Sequence, residues 1–248
     1  MSNILFLFEG EVREYQYYTV IERALEGKIK SKVNFYCYKT NIYSMYDEIK
    51  DDLSLDTINL LKERAKKDDD IENYEMLSST KFGEIYLIFD LDPQDERYSE
   101  DTIQKMLNLF NNETEHGKLY LNYPMIESFK HFKTIPDSEY NTYKISIQDC
   151  ITYKRDVAKL TCINDYRKIT IEQYLSILNQ NLSKANFLIN NSEKCDFKTY
   201  RNSITQTNIY NFQKEEISTS SNLYILNTFS LWPLDYFSQD FYNNIVKN

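Results

Sequence analysis

One short strand that ends in two acidic residues constrains the fold of this chain more than any other feature. Residues Ile85 to Phe89 form a continuous apolar run, and Asp90 and Asp92 come directly after it. A strand with apolar side chains on both faces must be covered on both faces, which is typical of a central strand in a parallel sheet. Such sheets bind ligands at the carboxyl ends of their strands, so the pattern predicts a functional site there.

Asp90 and Asp92 are separated by one residue, so in an extended chain their side chains point to the same side. Two carboxylates held this close repel each other unless a cation lies between them. Carboxylate oxygens suit Mg²⁺ or Mn²⁺, which makes these residues candidate metal ligands. The alternative interpretation is a solvated acidic junction between a strand and a loop, because isolated Asp-x-Asp patterns are common.

A second continuous apolar run begins the chain. Residues Ile4 to Phe8 precede Glu9, Gly10 and Glu11, which predicts another buried strand with acidic residues at its end. Gly10 can provide a tight turn or an unusual backbone angle, and residues Tyr15 to Leu25 then show helical spacing of apolar side chains. The pattern predicts a strand, an acidic turn and a helix.

A third polar strand end is predicted farther along the chain. Residues Asp101 to Asn111 have helical apolar spacing, and Lys118 to Asn122 is the next predicted parallel strand. The segment after it contains Glu127 and His131, which would share one face of an α-helix. A single pair of this kind is more often a surface contact than a site, although its place beside Asn122 favours a role at the same sheet edge.

The strand and helix alternation stops near Asp137, so we predict a domain at 1–137 and an α-rich C-terminal extension at 138–248. In the first part of the chain we also predict an exposed strand near a sheet edge at Val33–Tyr38 and two helices within Asn41–Lys67, with Asp56 as an N-cap. In the later part we predict a strand at Tyr143–Ile147, a helix at Ile169–Ile189 and an apolar closing segment at Leu223–Phe241. We interpret the charged cluster from Lys67 to Asp70 as solvated surface.

Composition bears on partners and location. A net charge of −9 at pH 7 argues against a generally basic nucleic-acid binder, although a local basic face or a bridging metal ion can still meet phosphate. No apolar run approaches the ~20 residues of a membrane-spanning helix, and the N-terminus lacks the features of a signal peptide. We therefore expect a cytoplasmic protein that does not contact a membrane.

The two acidic strand ends resemble the TOPRIM domain of primases, topoisomerases and OLD-type nucleases. In that domain a strand ending in Glu-Gly precedes a strand ending in Asp-x-Asp, as in FLFEGEVREYQYY and LIFDLD here. The segment LNYPMIESF further resembles the RloB/AbiLii-like bacterial phage-defence TOPRIM proteins. The resemblance covers residues 3–132 and implies an α/β, TOPRIM-like (Rossmann-like) fold with a mainly parallel sheet flanked by helices, to which the helical patterns after residue 137 add a mostly helical C-terminal extension.

The resemblance also implies an activity. Glu9 corresponds to the TOPRIM glutamate, Asp90 and Asp92 to the metal-binding pair, and Glu127 to an additional acid of the defence proteins. Together they imply a Mg²⁺- or Mn²⁺-dependent nuclease that cleaves DNA or RNA, including tRNA, as a toxic effector of abortive infection. The expected partners are a nucleic-acid substrate and an ATPase of the same defence system, and a homodimer is left open.

If the chain cleaves a phosphodiester with the help of a metal ion, its acidic residues have distinct expected roles. Asp90 and Asp92 would bind the ion, and Glu9 would bind it or act as a general acid or base. Glu11 and Glu127 are second candidates. Two basic residues near the same edge, Arg13 and Lys130, can meet phosphate oxygens, although exposed cations usually only solubilise a surface.

Two other functions compete with this hypothesis. A phosphatase of the haloacid-dehalogenase type also has an Asp-x-Asp strand end, but that pattern requires Thr or Val where Gln94 stands. The second is a non-catalytic TOPRIM-like module that binds and regulates a partner ATPase or nucleic acid, because a fold does not fix a function.

Overall fold

A computed structural model describes residues 2–25, 27–53 and 56–246, and it shows an α/β fold built on a five-stranded sheet. The sheet has the order β2-β1-β3-β5-β4, and β4 pairs antiparallel with β5 whereas the other neighbours are parallel. Its strands are β1 (Asn3–Phe8), β2 (Lys32–Cys37), β3 (Glu84–Asp90), β4 (Asn111–Asn112) and β5 (Gly117–Asn122). The predicted mainly parallel sheet with the Ile85–Phe89 run at its centre is confirmed.

Helices connect and cover these strands. The first part of the chain contains α1 (Arg13–Leu25), α2 (Ile42–Ile49), α3 (Thr57–Lys67), α4 (Ile71–Ser79) and α5 (Glu100–Leu109). The later part contains α6 (Tyr153–Leu160), α7 (Ile171–Asn190), α8 (Phe197–Ser203), α9 (Gln206–Ser220), α10 (Trp232–Tyr236) and α11 (Gln239–Val246). It also contains a small antiparallel sheet of β6 (Lys144–Ser146) and β7 (Asn222–Tyr224).

Local sequence signals set several helix ends. The side chain of Asp56 accepts a hydrogen bond from the Asn59 backbone N–H at 3.0 Å and caps α3, as predicted. Thr170 and Gln173 form a capping box that begins α7, close to the predicted start of that helix. Gly27, after the end of α1, has a φ of 68°, which a residue without Cβ adopts at little cost.

One predicted surface cluster is confirmed and one predicted helix differs. Lys67, Asp68 and Asp69 are exposed, as predicted for solvated surface, and the half-buried Asp70 also caps α4, because its side chain accepts from the Asn73 backbone N–H at 3.2 Å. The segment with Glu127 and His131 is a 3₁₀ helix, Ile126–Lys130, rather than an α-helix. Three residues per turn place positions i and i+3 together, so the predicted shared face for Glu127 and His131 is wrong.

The C-terminal region packs on one face of the sheet. Phe6 and Tyr86 are paired in register on neighbouring strands, and their rings lie 5.5 Å apart. The Trp232 ring lies over both, at 5.0 Å from Phe6 and 5.8 Å from Tyr86. Buried side chains from before and after residue 137 therefore belong to one hydrophobic core. The domain boundary at that residue stays a prediction.

A helix that spans a membrane must be both long and apolar. In the part of the chain that the structure describes, none of the helices combines the length and the apolar character needed to cross a bilayer.

Candidate metal centre in an acidic cleft

The ends of β1 and β3 place two acidic residues side by side. These strands are parallel neighbours, and Phe8 pairs with Ile88 at their carboxyl ends. Glu9 follows β1, and its Oε2 accepts a hydrogen bond of 3.0 Å from the backbone N–H of Asp90, the last residue of β3. Parallel pairing alone thus brings together carboxylates that are 81 residues apart in the chain.

Asp92 completes a group of three carboxylates, which we call the acidic triad (Glu9, Asp90 and Asp92). One ligand oxygen from each side chain lies within 4.8 Å of the other two. The structure therefore brings together the three residues predicted as metal ligands. All the potential metal-ligand atoms of this group are carboxylate oxygens, the ligand type that Mg²⁺ and Mn²⁺ prefer.

Asp92 reaches the triad through an unusual backbone conformation rather than an extended one. Its φ is 40°, in the left-handed region, which Asp tolerates better than most residues but still at some cost. The N–H groups of Leu91 and Asp92 both donate to the carbonyl of Pro124 at 3.1 Å. The Tyr43 hydroxyl donates to the carbonyl of Leu91. These contacts hold the turn after β3, so the prediction of an extended Asp-x-Asp geometry is wrong.

Hydrogen bonds fix the direction of both aspartates. The Ile126 backbone N–H donates to Asp90 Oδ1 at 2.7 Å. Gln94 Nε2 donates to Asp92 Oδ1 at 3.1 Å. Each aspartate still has a second carboxylate oxygen, so these contacts orient the side chains without using all their acceptors.

Burial makes the charged form of the triad costly. Burial is the main cause that raises the pKa of Glu9 to about 8; the hydrogen bond from the Asp90 N–H opposes the rise, and the charges of Asp92, Glu14 and Glu127 contribute to it. Burial is also the main cause of the raised pKa of Asp92, and burial with the charge of Glu9 raises the pKa of Asp90 well above its usual range. Among the described residues, no lysine or arginine forms an ion pair with any of the three. A cation bound here would remove the repulsion.

The spacing of the oxygens fits a small divalent ion. Two ligands on opposite sides of Mg²⁺, each at ~2.1 Å, are ~4.2 Å apart. The triad oxygens are separated by at most 4.8 Å, so a small side-chain movement suffices to enclose the ion. Glu9, Asp90 and Asp92 are therefore the residues that could hold Mg²⁺ or Mn²⁺.

The triad lies in a cleft of about 770 Å³, which we call the acidic cleft. Glu127 lines the same cleft but lies outside the group of three. Its side chain is 3% exposed, and its Oε1 lies 4.0 Å from Arg13 Nε and 3.4 Å from Lys154 Nζ. That oxygen accepts no hydrogen bond within the described part of the chain. Glu127 therefore sits between two cations at the side of the triad.

The other predicted residues occupy different places. Glu11 lines the cleft, is exposed and lies 3.7 Å from Lys39 Nζ. Lys130 is half-buried outside the cleft lining, and burial lowers its pKa. His131 also lies outside the lining, where its ring stacks on Tyr153 at 5.6 Å and its Nδ1 is 3.0 Å from that hydroxyl. The expected contribution of His131 to the sheet edge is therefore not seen.

Sequence reasoning missed a sixth acidic residue in the cleft. Glu14 in the first turn of α1 is buried, and its Oε1 accepts a hydrogen bond of 3.0 Å from the Gly10 N–H. A Cβ on Gly10 would lie 3.1 Å from the Glu14 carboxylate, and Gly10 does not have a positive φ. Gly10 thus permits a close approach rather than an unusual backbone angle. The i, i+4 spacing of these two residues was the available signal.

The C-terminal region also supports the cleft, through Asn227. Its Nδ2 lies 3.1 Å from Asn122 Oδ1, 3.3 Å from the Ile126 carbonyl and 3.3 Å from Ser128 Oγ. Asn227 is fully buried, so these contacts hold the turn whose Ile126 N–H binds Asp90. No local pattern indicates this role, because the two segments are about 100 residues apart.

Comparison with known proteins does not identify the chain: no family model, curated protein or solved structure matches it.

Proposed function

We propose that this chain is a metal-dependent nuclease that hydrolyses phosphodiester bonds in DNA or RNA. The observation that carries the proposal is the acidic triad, in which three carboxylates from two strand ends lie within 4.8 Å in a cleft. Buried carboxylates repel one another, and an arrangement that concentrates them requires a function or a cation to explain it.

The residues of the cleft have distinct roles in this proposal. Asp90 and Asp92 hold Mg²⁺ or Mn²⁺, oriented by the Ile126 N–H and by Gln94. A bound divalent ion supplies positive charge that stabilises a phosphoryl group during hydrolysis. Glu9 either completes the ligand set or carries a proton, and its raised pKa, about 8, suits proton transfer near neutral pH.

The resemblance to TOPRIM defence proteins extends the proposal to a biological role. In that role the chain is a cytoplasmic toxic effector of bacterial anti-phage defence. It works with a partner ATPase, and the oligomeric state is left open. The net charge of −9 supports the need for a partner, because an acidic protein attracts a polyanion poorly.

A cleavage assay tests the nuclease proposal. Purified protein is incubated with labelled single-stranded and duplex DNA and RNA in Mg²⁺, Mn²⁺ or EDTA. A cognate ATPase is added if one is encoded beside it. We expect cleavage only with a divalent ion, and a loss of at least ~100-fold in Glu9→Gln, Asp90→Asn and Asp92→Asn, because each removes a ligand charge.

Asp95→Asn is the matched control. Asp95 is three residues from Asp92 but pairs with Arg97 and does not line the acidic cleft. This variant should cleave like the wild type. Wild-type cleavage in all three triad variants, each with an unchanged circular dichroism spectrum, would exclude the triad as the catalytic site. Absence of cleavage by the wild type with every substrate and ion would leave the non-catalytic binding module as the better explanation.

A further inference from the structure

The acidic cleft has two lips that each combine a cation with an exposed aliphatic side chain. One lip is formed by Val12 and Arg13 at the start of α1. The other is formed by Ile151 and Lys154, from the 3₁₀ helix Gln148–Thr152 and the first turn of α6. The second lip comes from the C-terminal region, so the arrangement exists only in the folded chain.

The cations of the lips have donors available for an anion. Arg13 and Lys154 both lie beside the single carboxylate of Glu127, at 4.0 Å and 3.4 Å from its Oε1, so one carboxylate cannot use all the N–H donors of the two cations. Arg13 has five N–H donors. Its hydrogen bond to Gln16 Oε1 is long, at 3.5 Å, and its guanidinium also contacts Tyr166. The side chains of Arg13 and Lys154 are 43% and 64% exposed, so solvent reaches both.

The aliphatic residues of the lips are unusually exposed. Val12 is 56% exposed and Ile151 is 75% exposed, although both line a cleft that contains at least four carboxylates. Apolar side chains gain nothing from contact with phosphate, but they pack well against the faces of nucleobases. Base faces are accessible in an unpaired strand, whereas in a duplex they are stacked.

We propose that the acidic cleft binds a single-stranded segment of nucleic acid, with Arg13 and Lys154 on its phosphates and Val12 and Ile151 against its bases. The inference rests on the proposed function, which requires a phosphodiester at the triad. Asp90 is 9% exposed, so the phosphate must enter the cleft. A flexible strand can bend into a space of about 770 Å³, whereas a duplex is a stiff rod with a persistence length of ≈ 50 nm.

Fluorescence anisotropy tests this proposal without cleavage. The probes are a labelled single-stranded oligonucleotide and the same sequence as a duplex, both as DNA and as RNA, in EDTA at low salt. We expect the single strand to bind about tenfold or more tightly than the duplex. Arg13→Ala and Lys154→Ala should each weaken its binding by about three- to tenfold and reduce the salt dependence by ~1 ion.

The chain provides matched controls for both lips. Lys159 lies on the same helix as Lys154 with a similar exposure of 68%, but it does not line the cleft. Lys159→Ala should therefore bind like the wild type. Ile151→Ser should weaken single-strand binding about threefold, whereas Ile71→Ser, at a site that is 71% exposed on α4, should not.

The outcomes separate this inference from the nuclease proposal. Equal affinity for single strand and duplex, or equal binding by Lys154→Ala and Lys159→Ala, would overturn the single-strand assignment even if Mg²⁺-dependent cleavage is found. Preferential single-strand binding through Lys154, in a protein that never cleaves with any divalent ion, would support the binding surface and overturn the nuclease.

Discussion

At the scale of a single residue, Asp90 has both a structural role, as a hydrogen-bond acceptor, and a proposed functional role, as a metal ligand. Its Oδ1 accepts the Ile126 N–H in a buried position, so the fold needs an oxygen there. The fold does not need the charge, because burial and the charge of Glu9 both disfavour it. A neutral side chain with the same acceptor would therefore suit the metal-free protein better than aspartate.

Asp90→Asn is expected to stabilise the metal-free protein by about 1 kcal/mol or more, because it keeps the acceptor and removes a buried charge. The raised pKa of Asp90 means that the folded state binds its proton more tightly. The wild type then loses stability as pH rises above ~4, so the gain should appear at pH 7 and vanish near pH 3. Urea unfolding in EDTA at several pH values measures this.

Mg²⁺ should reverse the order of stability of the wild type and the Asp90→Asn variant. A ligand that binds only the folded state stabilises it, so the ion should raise the melting temperature of the wild type and leave Asp90→Asn unchanged. Asp95→Asn is again the control. Hydrogen bonds with Arg97 stabilise the charged form of Asp95 and lower its pKa, so removing that charge should destabilise the protein slightly, the opposite of Asp90→Asn. A less stable Asp90→Asn protein in EDTA would assign Asp90 a structural role.

His131 should give the protein a second, opposite pH dependence. Burial lowers the pKa of His131 to about 4, helped by Lys184 and Lys133 and opposed by Asp137. The unfolded state then binds a proton that the folded state does not, so this residue costs stability as pH falls from ~6.5 to about 4. The wild type should lose more stability over this range than His131→Gln does. If the free energy of unfolding depends on pH in the same way in the wild type and in His131→Gln, this prediction is contradicted.

At the scale of elements, the 3₁₀ helix Ile126–Lys130 is the part that joins the sheet to the C-terminal region. Its N-terminal N–H orients Asp90, its Glu127 lies between two cations, and its Ile126 carbonyl and Ser128 hydroxyl contact Asn227. The helix is short, so these external contacts rather than its own hydrogen bonds must fix its position.

Asn227→Ala should therefore affect both stability and the cleft. It removes the amide donor that the buried Asn122 Oδ1 and Ile126 carbonyl share, and it leaves the buried Ser230 N–H without its Asn227 Oδ1 acceptor, which should cost about 2–3 kcal/mol. It should also weaken Mg²⁺ binding, measured by calorimetry on protein that is still folded. Asn208→Ala removes an exposed contact to the Ser203 carbonyl and should cost under ~1 kcal/mol with unchanged Mg²⁺ affinity. Equal Mg²⁺ affinity in the two variants would contradict this positioning role.

At the scale of the whole molecule, the sheet depends on residues far along the chain. Trp232 and Phe229 cover the aromatic face of β1, with rings 5.0 Å from Phe6 and 5.9 Å from Phe8. The hydroxyl of Tyr17 on α1 also contacts Ser230. Removing the C-terminal region would expose this face to water.

We expect residues 1–137 alone to lack cooperative unfolding, because the exposed aromatic face removes a large share of the core. Thermal unfolding followed by near-ultraviolet circular dichroism measures this, with the full-length chain as the control. A sharp transition in the fragment would support the predicted domain boundary at residue 137.

The sequence by itself determined the central features of the sheet and its acidic edge. Continuous apolar runs at residues 4–8 and 85–89 record burial on both faces, and that local pattern identifies central strands. Because parallel strands end at the same edge, the sequence placed Glu9 and Asp90 at one edge of the sheet, and the pairing of β1 with β3 in the structure makes them neighbours.

Only the tertiary structure decided what surrounds the triad. The left-handed turn at Asp92 depends on the Pro124 carbonyl, and the places of Lys154 and Asn227 depend on contacts between segments far apart in the chain. Periodicity in a sequence records whether each residue is buried. It does not record which distant residue lies against it, and that choice is made by packing of the whole core.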